Sequence, residues 1–139
     1  MEKIYLDKDI HVFCTTAASF PDGIQDAFLK LEQLLSMEGR TFYGLSQLNK
    51  EGTIIYKAAV TESFPGETEQ YGFENFIIPR GYYSGEKIVN WKNNIPLIGK
   101  VFMTLVKDPR MNRDYPCIEW YHSEEELTCM VKLKEPVLN

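Results

Sequence analysis

The feature that most constrains this fold is an internal duplication of roughly 75 residues. Each half of the chain predicts the order strand, helix, strand, strand, and the hairpins of the two halves align, 42–43 with 118–119 and 55–57 with 130–132. The apolar faces of the two helices match as well. These positions are Ile24, Ala27, Phe28 and Leu31 in the first half and Ile98, Val101, Phe102 and Leu105 in the second. A unit this long exceeds a solenoid repeat and predicts an α+β fold, a duplicated β-α-β-β repeat with antiparallel sheets and two main helices.

The first half supplies a strand, the clearest helix and a hairpin. Residues 11–19 contain apolar and β-branched side chains, which predict a strand. Apolar residues then recur at helical spacing from Ile24 to Leu35. Two more strands are predicted at 41–47 and 53–61.

A polar, turn-rich segment at 63–72 predicts a linker between repeat one, at about 8–62, and repeat two, at about 73–135. Proline is tolerated in a first helical turn, so Pro96 predicts a second helix from Asn94 or Ile95. The other elements predicted in this half are strands at 73–78, 82–89, 117–122 and 127–133. The length of 139 residues fits a single domain over 1–139.

Charge and composition exclude several classes of protein. The net charge is −5 and no segment is densely basic, so we expect no direct nucleic-acid binding. No apolar run is long enough to cross a membrane, and the charged N-terminus argues against a signal peptide. The cysteines, Cys14, Cys117 and Cys129, form no CxxC pair. We therefore expect a reduced cytoplasmic protein without a metal site or cofactor.

Glu119 is the residue most suggestive of chemistry. It lies in the segment PCIEWYH at 116–122, where strand alternation places Ile118 and Trp120 on one face and Glu119 on the other, beside Cys117 and Tyr121. We expect Ile118 and Trp120 to pack against the helices. A carboxylate among apolar side chains is costly to ionise, so it either holds a proton or awaits a cation. The same alternation also fits a solvated Glu119.

Aromatic residues favour the cation. The chain has eight Tyr, eight Phe and two Trp, and aromatic faces attract organic cations. The hairpin alignment makes Tyr43 equivalent to Glu119. Tyr56, Tyr82 and Trp91 lie on or near other predicted strands. A groove between the repeats would gather such rings around one acid.

Two segments of the second half carry a family resemblance. Residues 76–83 read FIIPRGYY and residues 116–121 read PCIEWY, which resembles the I-P-x-G-x-Y turn and E-x-Y strand of GyrI-like domains. These are the effector-binding domains of bacterial AraC- and MerR-type multidrug regulators. Residues 40–44 and 52–56 resemble the hairpin of the family's first repeat. The resemblance covers nearly the whole chain and leaves no segment for a helix-turn-helix.

The resemblance implies a ligand cleft between the repeats and a stand-alone module that binds amphipathic, often cationic, aromatic compounds. Glu119 matches the family's charge partner and Tyr121 the tyrosine of its motif. The predicted ligand-binding residues are Glu119, Tyr121, Tyr43, Tyr56, Trp91 and Tyr82. One alternative is a hydrolase of reactive electrophilic toxins that uses Glu119 and Tyr121. Another is a protein-interaction modulator of gyrase or of a transcription regulator, through acidic segments at 62–69 and 124–126.

Overall fold

The computed structural model describes residues 1–34, 36 and 38–135, which divide into two compact units. Unit A is Asp9–Ile78. Unit B joins Met1–Lys8 to the chain from Pro79 onward. Each unit has an antiparallel four-stranded sheet and one main helix.

Unit A is built around helix α1 (Ile24–Leu34). Its strands, in sheet order, are β3 (Phe42–Leu48), β4 (Ile54–Thr61), β2 (Ile10–Thr16) and β5 (Glu74–Ile78). The apolar stripe of α1 packs Ala27 and Leu31 against Phe13, Ala58 and Val60 of the sheet. A short second helix, α2 (Glu67–Tyr71), precedes β5.

Unit B follows the same plan around helix α3 (Ile95–Leu105), which has Pro96 in its first turn. Its strands, in sheet order, are β1 (Glu2–Leu6), β6 (Gly81–Val89), β8 (Glu126–Lys132) and β7 (Cys117–Tyr121). Val101 and Leu105 of α3 pack on Ile88, Leu127 and Cys129. A single 3₁₀ turn, Trp91–Asn93, leads from β6 towards the helix.

Two strands pair away from their sequence neighbours. β1 comes directly before β2 in the chain but pairs with β6, with Glu2 opposite Gly85 and Leu6 opposite Gly81. β5 comes directly before β6 but pairs with β2, with Ile10 opposite Ile78. We call this the strand exchange. The segment at 73–78, predicted at the start of repeat two, therefore contributes its strand to unit A.

The predicted fold class is confirmed: the chain is α+β, and each unit contains a β-α-β-β run with antiparallel pairing. Both main helices begin at the expected residues. Position 35, predicted to continue the first helical stripe, lies outside the described residues. No helix in the described part of the chain is long and apolar enough to cross a membrane.

Candidate functional site

The face of β7 that carries Glu119 is the one covered by helix α3. Cys117 and Tyr121, which share this face by alternation, pack into the core cluster that includes Val101 and Leu105 of α3. We expected Ile118 and Trp120, on the opposite face of β7, to contact the helix, and that expectation was wrong. Both faces of β7 carry apolar residues, and Ile118 is fully buried on the far side. Hydrophobicity alone consequently could not identify the helix-facing side.

Glu119 is half-buried and held in place by a hydrogen bond. The Tyr121 hydroxyl donates to its Oε1 over 2.8 Å, although the two residues are only two apart in the strand. On β8, Cys129 lies directly opposite Glu119, and Glu86 of β6 lies opposite Cys129 on the other side. The sequence offered no sign of Glu86 as a neighbour, because it depends on the pairing of β6 with β8.

The two thiols next to Glu119 are protonated. Burial raises the pKa of Cys117 to about 11 and that of Cys129 to about 12, and the nearby Glu119 carboxylate contributes because it disfavours a second anion. A thiol must ionise to act as a nucleophile. Neither thiol is therefore a candidate nucleophile at neutral pH.

Trp91 lies beside Tyr121. Its ring lies 5.1 Å from that of Tyr121 at an interplanar angle of 66°, and its indole N–H donates to the Ser123 carbonyl over 3.2 Å. The Nζ of Lys92 sits 5.6 Å from the Trp91 ring centroid, so this ring already accepts a cation on one face. Glu119, Tyr121 and Trp91 together form what we call the Glu119 cluster.

Tyr82 also lies in unit B, where it contacts residues outside the Glu119 cluster. Its ring is 4.9 Å from that of Tyr5, and Lys3 Nζ lies 5.3 Å from its centroid. Along β6 it is four residues from Glu86, or about 13 Å at the rise of an extended strand.

Tyr43 and Tyr56 belong to unit A and are almost fully buried, at 3% and 2% exposure. Tyr56 packs with Phe20 and Phe28, at centroid distances of 5.8 and 6.4 Å. Burial raises the pKa of Tyr43 to about 12. The groove between the repeats, to which both residues were assigned, stays a prediction.

The predicted equivalence of Tyr43 with Glu119 is wrong by one residue. Phe42 packs into the core cluster of α1, so Tyr43 points to the face away from that helix, whereas Glu119 lies on the face that α3 covers. A slip of one residue exchanges the faces of every side chain in a strand. The residues of β3 that share the helix-covered face are the neighbours of Tyr43, Phe42 and Gly44.

Glu67, in the predicted linker, forms a buried ion pair with Arg40 that the sequence did not indicate. Arg40 donates to both carboxylate oxygens of Glu67, over 2.9 and 2.6 Å, with the two side chains only 6% and 4% exposed. Arg40 also donates to the Thr61 carbonyl, and the Ser63 amide donates to Glu67. The segment is thus part of the structure of unit A.

The acidic segments already meet basic residues within their own units. Glu67 binds Arg40 in the first segment, and in the second Glu124 and Glu126 form ion pairs with Lys92 and Lys87 at 3.8 and 2.8 Å. A protein partner for these segments stays a prediction. Within residues 1–34, 36 and 38–135, no group of three His, Cys, Asp or Glu side chains is placed to hold a metal ion.

Solved structures with a similar fold cover most of this chain. An integron cassette protein from the mobile metagenome of Vibrio cholerae has a TM-score of 0.68 at 11% identity, over 96% of this chain and 95% of its own. A hydrolase from Listeria innocua has a TM-score of 0.57 at 8% identity, over 96% and 90%. The protein SAV2435, solved with bound tetraphenylphosphonium, has a TM-score of 0.61 at 14% identity, over 96% and 93%.

The likeness is one of fold. No family model matches the chain, and no curated protein matches it either.

Proposed function

We propose that this chain is a small-molecule-binding protein of the GyrI-like type, whose ligand is an amphipathic aromatic cation held at Glu119. One observation carries the proposal: a half-buried carboxylate lies on the helix-covered face of a sheet, with the rings of Tyr121 and Trp91 beside it. The motif resemblance at 76–83 and 116–121 supports it independently.

The Glu119 cluster suits an organic cation better than a small inorganic one. Aromatic faces attract a desolvated cation by about 0.5–2 kcal/mol each, while the carboxylate supplies the opposite charge. The Tyr121 hydrogen bond fixes the orientation of that carboxylate before a ligand arrives. Glu86, on the far side of Cys129, adds negative charge to the same face.

Tetraphenylphosphonium is the natural first probe because it joins a positive charge to four aromatic rings. It is the compound bound in SAV2435, a protein of the same fold. The Glu119 cluster forms the centre of the proposal, and Tyr82 of the same unit is its outer wall. Tyr43 and Tyr56, which are buried in unit A, stay predictions of the sequence alone.

We expect Glu119→Gln to weaken tetraphenylphosphonium binding by roughly thirtyfold or more, measured by isothermal titration calorimetry. Removing one partner of a desolvated charge pair costs about 2 kcal/mol at least, which corresponds to that factor. The matched control is Glu125→Gln, which removes the same charge from an exposed position in unit B. It should bind like the unaltered protein.

If both variants bound tetraphenylphosphonium as tightly as the unaltered protein, the assignment of Glu119 would be refuted. A comparable loss in both would mean that the net charge of the protein, rather than a site, attracts the probe. Matching far-ultraviolet circular dichroism spectra establish that each variant is folded.

A second candidate function is hydrolysis of a strained electrophile. The 2.8 Å bond pairs a carboxylate with a phenol that can relay a proton, and one protein of this fold is a hydrolase. On this hypothesis the unaltered protein opens styrene oxide to the diol. Tyr121→Phe then lowers kcat by about 10²–10⁴, the usual contribution of general acid–base catalysis. No diol above the uncatalysed rate, by chromatography, rules out this activity on epoxides.

A further inference from the structure

Unit A contains a pocket of about 470 Å³ between helix α2 and strands β2 and β5. We call it the α2 pocket. The lining residues that matter here are His11, Glu62, Thr68, Glu69, Phe73 and Asn75. Its volume lies in the range of small-molecule sites. All of its walls belong to unit A, so it is separate from the Glu119 cluster.

The pocket carries two carboxylates that no basic side chain neutralises. Neither Glu62 nor Glu69 forms an ion pair with any lysine, arginine or histidine in the described parts of the chain. Glu67, on the same short helix as Glu69, differs because Arg40 binds it. The lining is therefore negative, and an anionic ligand is excluded on charge.

One of the carboxylates is held rigidly. Thr68 is only 5% exposed, and its hydroxyl donates to Glu62 Oε2 over 2.8 Å. The Arg40–Glu67 pair ties α2 to the end of β4 through the Thr61 carbonyl. Helix α2 and the Glu62 carboxylate are thus fixed in the protein before any ligand binds, which lowers the entropic cost of binding.

The remaining walls combine aromatic surface with polar groups. Phe73 is half-buried, with its ring 5.9 Å from that of Phe13 in an edge-on contact. His11 and Asn75 offer side-chain hydrogen-bonding groups. A bare metal ion would leave Phe73 without a role, and these side chains include no cluster of three metal ligands in the described structure.

We propose that the α2 pocket binds a small organic ammonium ion: an amine whose charge pairs with Glu62 and Glu69 and whose apolar part contacts Phe73. Two charges of the same sign, an aromatic wall and a volume suited to a small molecule together define this class of ligand. The site is additional to the one proposed at Glu119 and does not depend on it.

The test is a titration of the full chain, labelled with ¹⁵N, with 2-phenylethylamine, followed by two-dimensional NMR. Amide signals of residues 62–75 should shift in a saturable way. The neutral analogue 2-phenylethanol should leave those signals in place at the same concentrations. The Trp91 indole signal reports on the Glu119 cluster in the same spectra, so failure at one site is visible separately from failure at the other.

The double variant Glu62→Gln/Glu69→Gln should weaken amine binding by about fivefold or more, as expected for the loss of two partly solvated charge pairs. Glu51→Gln, an exposed change in the β3–β4 turn of the same unit, is the matched control and should bind normally. Shifts of equal size with the alcohol, or no saturable shift at 62–75 with the amine, would overturn the proposal without recourse to a variant.

Discussion

Replacing Glu67 by glutamine should lower the free energy of unfolding by about 3–5 kcal/mol, the usual cost of leaving a buried charge without its partner. Arg40 is 6% exposed and cannot lose its proton, so water cannot readily replace the carboxylate. Urea denaturation followed by far-ultraviolet circular dichroism measures the change, because both tryptophans lie in unit B. The matched control is Glu69→Gln, an exposed position on the same helix, which should stay within about 0.5 kcal/mol.

The cost should depend on pH. The Arg40 hydrogen bonds hold the pKa of Glu67 below the ordinary value of 4.5, and burial opposes them only partly. A lowered folded-state pKa gives stability that is complete above the unfolded pKa and is lost as pH falls through the folded one. The difference between the unaltered protein and Glu67→Gln should therefore be constant near pH 7 and shrink in acid. An unchanged difference at pH 3 would contradict this.

The second large effect is expected at Gly85, where strands β6 and β8 come close together. A Cβ added there would lie 2.8 Å from the Cys129 carbonyl oxygen and 2.7 Å from Ile4 Cδ1. A flexible side chain can move away, but a backbone oxygen within a sheet ladder cannot. Gly85→Ala should therefore cost about 2–3 kcal/mol, as overpacking of a filled interior does.

Gly99→Ala is the matched control and should change the stability of the protein in the opposite direction. Gly99 lies in the middle of α3, and a Cβ there meets nothing within 4 Å. Alanine favours a helix interior over glycine by about 0.5–1 kcal/mol, so this variant should melt at a higher temperature. If calorimetry showed the melting temperature shifting in the same direction for both variants, the close approach at Gly85 would not account for its effect.

The sequence predicted the elements with a local signature and missed those that depend on distant partners. The stripes beginning at Ile24 and Ile98, with Pro96 before the second, place both helices because helical period is local. The strand exchange has no local signature. The strand EKIYL at 2–6 has the same sequence pattern whichever strand it pairs with. Its partner therefore cannot be predicted from its own residues.

The site was predicted to a similar extent. Alternation placed Glu119 beside Cys117 and Tyr121, and the structure keeps that grouping. It could not tell which face α3 would cover, because Ile118 on the other face is just as apolar. Arg40 and Glu67, 27 positions apart, pair only because α2 folds back onto the end of β4. Sequence distance hides contacts of this kind.

The strand exchange also orders events during synthesis. Unit A is continuous in the chain, so every residue it needs has been translated once Ile78 is added. The segment that forms β1 is made first yet has no partner until Gly81–Val89 follows. At ordinary translation rates that delay is about 4–15 s. Nascent unit A can thus fold before β1 has the strand with which it pairs.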